Sequence, residues 1–308
     1  MGRRSAKQKR NVRQQSRMLT KIRFSLLRCF SSLTLLSACC HKSSLGEMSA
    51  HSFYQTSPAQ IGVEVRGIDL KKQVSPENDV HKHRMLIFRD QGSVEGERHV
   101  EISKWFGELE STFYKHHRSP HPDVFRVSND KNEGCTGVGR TGWHIDGSFQ
   151  PAPFAYSLYH MAHVPSQGDT AFAPLTEMID QLDDRKRERW ERLWMTLCFH
   201  LGMTEAFIWD YDTPEQSKWT DWDETQSLLR EIHQEFVKDG GAIQYSHKWQ
   251  DGDFIISDNL AVGHEATPQT QLPRSQVGLR VLHRTTVKGT EAPTKKYTVR
   301  KTLHRDEL

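Results

Sequence analysis

Apolar positions in this chain fall into short runs, and most of the runs have strand character. In "IGVEVRGIDL" (Ile61–Leu70) they alternate, which puts Val63, Val65 and Gly67 on one face of a strand. "RMLIFRDQG" (Arg84–Gly92) is a compact apolar run closed by glycine, the pattern of a buried strand. "FAYSLYHMAHV" (Phe154–Val164) is rich in β-formers and stops at Pro165; "SQGDTAFAP" then predicts a turn and a short strand. "GDFIISDN" (Gly252–Asn259) predicts a strand leading to His264, and "VGLRVLHRTTV" (Val277–Val287) a long one. Helical spacing is rarer. "EISKWFGELE" (Glu101–Glu110) predicts a short helix burying Ile102, Trp105 and Phe106. The clearest helix is "LTEMIDQLDDRKRERWERLWM" (Leu175–Met195), with Thr176 as N-cap and an apolar face of Met178, Ile179, Leu182, Trp190, Leu193 and Trp194. No internal repeat is visible. Many strands and few helices between residues 48 and 290 predict one mainly-β domain, a sandwich or barrel with helices packed outside.

The 308 residues suit one large domain or two small ones, and eight Trp and fourteen Phe supply bulk to a core of modest apolar content. Charge is unevenly spread. Eleven Lys or Arg precede the first acidic residue, Glu47, so a chain of net charge +3 carries −8 beyond residue 46. The basic balance therefore belongs to residues 1–47 and gives no support to a nucleic-acid-binding core. Five cysteines (Cys29, Cys39, Cys40, Cys135 and Cys198) form neither a disulfide framework nor a C-x-x-C metal pair, which suits a reducing compartment.

Both ends carry address-like features. The acid-free, Arg- and Ser-rich first segment fits a mitochondrial transit peptide. Its "CFSSLTLLSACC" run has signal-peptide length and is too short to span a bilayer. The terminal "RDEL" is close to an ER-retention signal. A start at Met48 would instead give a plain cytosolic protein, which is the reading adopted, the other two being its alternatives. Residues 1–47 are expected to be a disordered or targeting segment, and 291–308 a basic tail.

The chemistry concentrates in "TGWHIDGSFQ" (Thr141–Gln150). Side chains alternate along a strand, so His144 and Asp146 share a face and offer a metal one imidazole nitrogen and one carboxylate oxygen. A second histidine would complete the facial triad of two His and one carboxylate that leaves three positions open and is diagnostic of non-haem Fe(II) oxygenases. Among the seventeen histidines, His116, His117 and His121 lie in a charged loop, and His81 and His83 sit among basic residues. His264, just past a strand in "DNLAVGHEATP", is the better third ligand. Arg280, Leu282 and Arg284 share a strand face by the same alternation. On an exposed face the arginines would simply be solvated; on a buried one they need an anion. A dicarboxylate that chelates the metal at one end and forms a bidentate pair with arginine at the other meets both needs.

Together, "WHIDGSF", "GDTAFA", His264 and "GLRVLHRTTVKG", preceded by "IGVEVRGIDL" and "HRMLIFRDQ", resemble the taurine dioxygenase (TauD/TfdA-like) family of Fe(II)/2-oxoglutarate-dependent oxygenases, from about Ile61 to Gly289. The resemblance implies a double-stranded β-helix, a jelly-roll or cupin-like barrel with the metal inside. It implies that His144, Asp146 and His264 bind Fe(II), that Arg280 and Thr170 hold the distal carboxylate of the 2-oxoglutarate cosubstrate, and that Arg284 meets an anionic group of the substrate. It further implies O2-dependent hydroxylation of a small molecule with release of succinate and CO2. Family halogenases have a small residue in place of the acid, so Asp146 favours hydroxylation.

Some features depart from the family pattern. Only ten residues separate Leu70 from His81, where the family has a full helix, and Met195 runs directly into "TLCFHLGMTEAF", without the usual connecting stretch. Arg140 stands where taurine enzymes carry an Asn near the substrate. The spacing from His264 to Arg280 is longer than in the taurine enzymes. Trimmed segments support an alternative of another class, a catalytically inactive jelly-roll that binds a partner or ligand. A zinc hydrolase would leave the Arg280/Arg284 pair without a role, and no G-x-G-x-x-G suggests a dinucleotide enzyme. Assembly into a homo-oligomer is left open.

Overall fold

The computed structural model describes residues 24–25, 55–58, 61–72, 77–110, 114–139, 142–198, 203–209 and 216–292. The expectations for the remainder of 1–47, for Arg140 and for 293–308 lie outside the described residues. The strands are β1 (Phe24–Ser25), β2 (Gln55–Pro58), β3 (Val63–Arg66), β4 (Met85–Phe88), β5 (Phe125–Ser128), β6 (Tyr156–His163), β7 (Thr170–Pro174), β8 (Leu193–Cys198), β9 (Met203–Trp209), β10 (Lys218–Trp219), β11 (Tyr245–His247), β12 (Phe254–Asp258), β13 (Val262–Ala266) and β14 (Val281–Val287). The helices are α1 (Glu77–His83), α2 (Gly96–Lys104), α3 (Leu175–Asp180), α4 (Asp184–Glu191), α5 (Trp222–Gly241) and α6 (Arg274–Val277).

A seven-stranded sheet runs β2-β3-β4-β12-β6-β14-β5, and a three-stranded one runs β11-β7-β13. The two close on each other through Ile87, Tyr159, Met161, Ile255 and Leu282 of the large sheet and Phe172 and Val262 of the small one. The opposite face of the large sheet, with Leu86, Phe88, Leu158, Phe254 and Ile256, packs against Ile102 of α2 and Val80 of α1. Central strands covered on both faces read as continuous apolar runs rather than alternating ones, which is why all four residues of β4 are buried. The outer face of the small sheet is covered by α3, α4 and α5, through Met178, Ile179, Trp190, Leu228 and Phe236. The result is the expected mainly-β jelly roll with flanking helices. Among the described residues, no helix is long and apolar enough to cross a membrane.

Three elements differ from the sequence expectation. The single helix over Leu175–Met195 is two helices and a strand. Asp183 leaves helical geometry at ψ 155° and caps α4, its carboxylate accepting from the Lys186 N–H at 2.8 Å. An aspartate that bonds nearby backbone competes with helix continuation. Pro174, not Thr176, precedes α3, and "LWMTLC" pairs with β9 as β8. The helix expected over Glu101–Glu110 begins earlier, at Gly96, and stops at Lys104; Ile102 and Phe106 are buried as expected, while Trp105 lies half-buried under the Arg98 guanidinium. The last strand starts at Val281, because Gly278 takes φ 84° after the short α6.

Neither trimmed segment interrupts the barrel. Past Leu70 the chain reaches β4 through α1, with residues 73–76 outside the description, and β8 pairs antiparallel with β9, with residues 199–202 outside it.

Candidate metal centre and its cavity

His144 lies in the long connection between β5 and β6. A single antiparallel bridge fixes it to β13: the His144 N–H donates to the His264 carbonyl at 3.0 Å, and the His264 N–H returns the bond at 2.9 Å. Asp146 follows at the head of a turn rather than in a strand, so alternation is only part of the reason that it joins the histidine. The turn is pinned by Asn259, 1% exposed. Its side-chain carbonyl accepts from the Asp146 N–H at 2.8 Å, and its amide donates to the carbonyls of Asp146 and Phe154 at 2.9 and 2.7 Å. Gly147 permits the reversal: its φ is +73°, and a Cβ there would lie 2.9 Å from the Phe154 ring.

The Asp146 carboxylate faces the barrel interior. Ser157 and Tyr159, alternate residues of β6, donate to its Oδ2 at 2.7 and 3.3 Å. Arg284, directly opposite Tyr159 in the β6–β14 pairing, donates to its Oδ1 at 2.5 Å. Burial alone would raise the acid's pKa; the Arg284 guanidinium chiefly outweighs it and holds the carboxyl well below the usual carboxylate range. Burial pushes His264 down to about 3, with His144 adding to the effect and Asp146 opposing it, so the imidazole is neutral at ordinary pH. The His144 Nδ1 lies 2.7 Å from the Gly142 carbonyl. Donation of an Nδ1 proton there leaves the Nε2 lone pair free.

One donor atom from each of His144, Asp146 and His264 fits within 4.8 Å of the others. Two imidazoles and an ionised carboxylate suit a divalent first-row ion. Among the described residues this is the one such group of three, and it includes none of His81, His83, His116, His117 and His121.

A cavity opens beside the group. It is lined by His144, His264, Tyr159, Thr170, Arg280 and Arg284, among others, so the alternating face Arg280–Leu282–Arg284 points inward. Arg280 is 4% exposed, and among the described residues no carboxylate pairs with it; its Nε–H reaches only the Gly168 carbonyl, at 3.4 Å. Burial, unopposed by any anion, pushes this guanidinium down to about 10, still charged at neutral pH. Thr170 accepts from the Trp249 indole N–H at 3.1 Å, which leaves its hydroxyl proton to donate elsewhere. Arg284 is committed to Asp146 through Nη1, while its buried Nε–H has no partner among the described residues.

Ser157, Tyr159, Trp249 and Asn259 complete the site and were not singled out by sequence. A hint was present, since Ser157 and Tyr159 alternate on a predicted strand. The Asn259 contact joins residues 113 apart and has no local signature. Asn259→Ala removes both side-chain bonds to the Asp146 backbone, and we expect metal affinity to fall by about 10–100-fold with the fold retained. Isothermal titration with Mn(II), beside circular dichroism, checks this; unchanged affinity would show that the turn holds itself.

A jelly-roll barrel with two His and one carboxylate beside a buried, unpaired arginine defines the class of 2-oxoglutarate-dependent dioxygenases. Comparison with known proteins makes the assignment narrower. The family described as "Taurine catabolism dioxygenase TauD, TfdA family" matches residues 54–204 of this chain. An alpha-ketoglutarate-dependent 2,4-dichlorophenoxyacetate dioxygenase from Burkholderia sp. (strain RASC) is 24% identical over 268 residues, covering 70% of this chain and 89% of that protein. An (S)-phenoxypropionate/alpha-ketoglutarate-dioxygenase from Sphingobium herbicidovorans is 24% identical, covering 61% and 77%. Among solved structures, a candidate alpha-ketoglutarate-dependent taurine dioxygenase from Burkholderia xenovorans superposes with TM-score 0.59 at 25% identity, covering 77% of this chain and 93% of that one. AAD-2, solved with Mn(II) and N-oxalylglycine, gives 0.57 at 23% identity, covering 78% and 98%, and speaks for the fold.

Proposed function

We propose that this protein is an Fe(II)- and 2-oxoglutarate-dependent oxygenase that hydroxylates a small organic anion. The observation that carries this reading is Arg280: a guanidinium in the barrel wall, without a carboxylate partner among the described residues, lining the same cavity as His144 and His264. A buried cation left unpaired is costly, and the cost is offset when an anion arrives. His144, Asp146 and His264 would hold the ferrous ion. When bound, that ion and 2-oxoglutarate supply the activation of dioxygen that ends in hydroxylated product, succinate and CO2.

The chain's own residues then have defined tasks. Arg280 binds the distal carboxylate of 2-oxoglutarate, and the Thr170 hydroxyl, oriented by Trp249, donates to the same group. Asn259 fixes the backbone that carries Asp146, and Ser157 and Arg284 fix the carboxylate itself. The apolar walls contributed by Val127, Val138 and Leu282 limit water around the reacting groups. Arg284 is the residue through which substrate charge is read: its Nε–H is a buried donor awaiting an acceptor. The named substrates of the relatives support an anionic substrate, since phenoxyacetates and phenoxypropionate carry a carboxylate. The inactive-scaffold alternative is not favoured, because the three donors converge and the arginine face turns inward despite the trimmed segments.

The test is anaerobic. Fe(II) and then 2-oxoglutarate are added to the full chain, and the visible charge-transfer band of the chelate is recorded. We expect the band in the native protein and its loss in His144→Ala. A folded native protein that gives no band would return the reading to a non-catalytic barrel.

A further inference from the structure

Tyr159 carries more than a supporting role. Its ring is buried in the barrel at 3% exposure, and it lines the cavity. Its hydroxyl oxygen lies 3.3 Å from Asp146 Oδ2 and 3.3 Å from His264 Nε2, and those two atoms are 3.7 Å from each other. Both contacts of the phenol are long for hydrogen bonds, and its single proton cannot serve two acceptors at once. Three polar atoms at these separations form a nearly equilateral triangle. The point equidistant from them lies roughly 2 Å from each, the length of a metal bond to imidazole nitrogen or carboxylate oxygen. An ion bonded to Asp146 and His264 can take up that point, and there it meets the phenol oxygen at bonding distance.

We propose that Tyr159 is a fourth protein ligand of the metal centre, engaged when the ion is ferric. The inference rests on the metal reading of His144, Asp146 and His264. Phenolate is a hard, anionic oxygen donor, and tyrosine ligates iron in other proteins, catalase among them. Ligation breaks the phenol O–H bond and forms an oxygen–metal bond; the proton passes to solvent, and no electron is transferred. Arg284 stands opposite Tyr159 on the neighbouring strand, so the added negative charge meets a guanidinium as well as the ion. Such a ligand would retain oxidised iron in the site when cosubstrate is absent.

The experiment uses the full, metal-free chain, kept without 2-oxoglutarate so that no ring oxidation can occur. Ferric nitrilotriacetate is added, bound iron is counted after dialysis, and visible absorption and resonance Raman spectra are taken. The expected result is a phenolate-to-iron charge-transfer band with phenolate ring modes in the native protein. Tyr159→Phe should bind iron and lose both signals. Iron bound by the native protein without phenolate modes would overturn the inference, and so would an unchanged spectrum in Tyr159→Phe at equal iron content. The first of these outcomes needs no variant to fold. Failure of the native protein to retain either ferrous or ferric ion would overturn the metal centre itself, and the fourth ligand with it.

Discussion

Asp146→Ala is expected to lose both metal binding and about 3 kcal/mol of stability, the cost of leaving a buried charge without its partner. The two losses have separate causes. Metal affinity falls because the one anionic donor of the group is gone, and the drop should exceed the 10–100-fold typical of merely supporting residues. Stability falls because the Arg284 guanidinium, its side chain 13% exposed, loses the carboxylate that it pairs with at 2.5 Å. The Ser157 hydroxyl also loses its 2.7 Å acceptor. Urea unfolding of the metal-free protein reads the stability term, and equilibrium dialysis with Fe(II) reads the affinity. The double variant Asp146→Ala/Arg284→Met separates them: it should recover most of the stability and none of the affinity. If Asp146→Ala still binds iron normally, the carboxylate belongs to the structure and not to the metal.

That double dependence could be read from the sequence only in part. The strands of the barrel were legible because Met85–Phe88, Tyr156–His163 and Phe254–Asp258 are apolar runs bounded by turn residues, whichever partner they pair with. The segment after Leu175 was misread because its apolar positions keep helical spacing through Asp183, and only the competition of that side chain for the backbone stops the helix. Helix α5 went unremarked although Asp221 caps it, accepting from the Glu224 N–H at 2.9 Å, and Leu228 and Phe236 mark its inner face.

The site divides along the same line. His144, Asp146, His264 and the Arg280–Arg284 face follow from local spacing and the chemistry of side chains. Asn259, just past β12, and Tyr159, on the adjacent β6, act through pairings between residues distant in sequence, and no period in the sequence encodes those. The expectation that His144 and Asp146 meet by strand alternation was right in outcome and incomplete in cause: one bridge to His264 and the Asn259 clamp do the positioning.

Arg280 gives the sharpest separation of binding from folding. In the metal-free protein its guanidinium is buried with no anion among the described residues, so Arg280→Met, which keeps volume and removes the charge, should leave stability unchanged or raise it. In the function proposed above, the same change removes the partner of the distal carboxylate of 2-oxoglutarate. Loss of a buried charge pair costs about 2–5 kcal/mol, and each 1.4 kcal/mol is tenfold, so the KM for 2-oxoglutarate should rise by about 10²-fold or more. Arg280→Lys should fall between, because an ammonium keeps the charge and gives up the bidentate geometry. Steady-state kinetics against 2-oxoglutarate and thermal unfolding of the metal-free protein measure the two quantities independently. A residue that existed to brace the Gly168 carbonyl would show the reverse, a fall in stability with KM unmoved, and that result would take the carboxylate pocket away from Arg280.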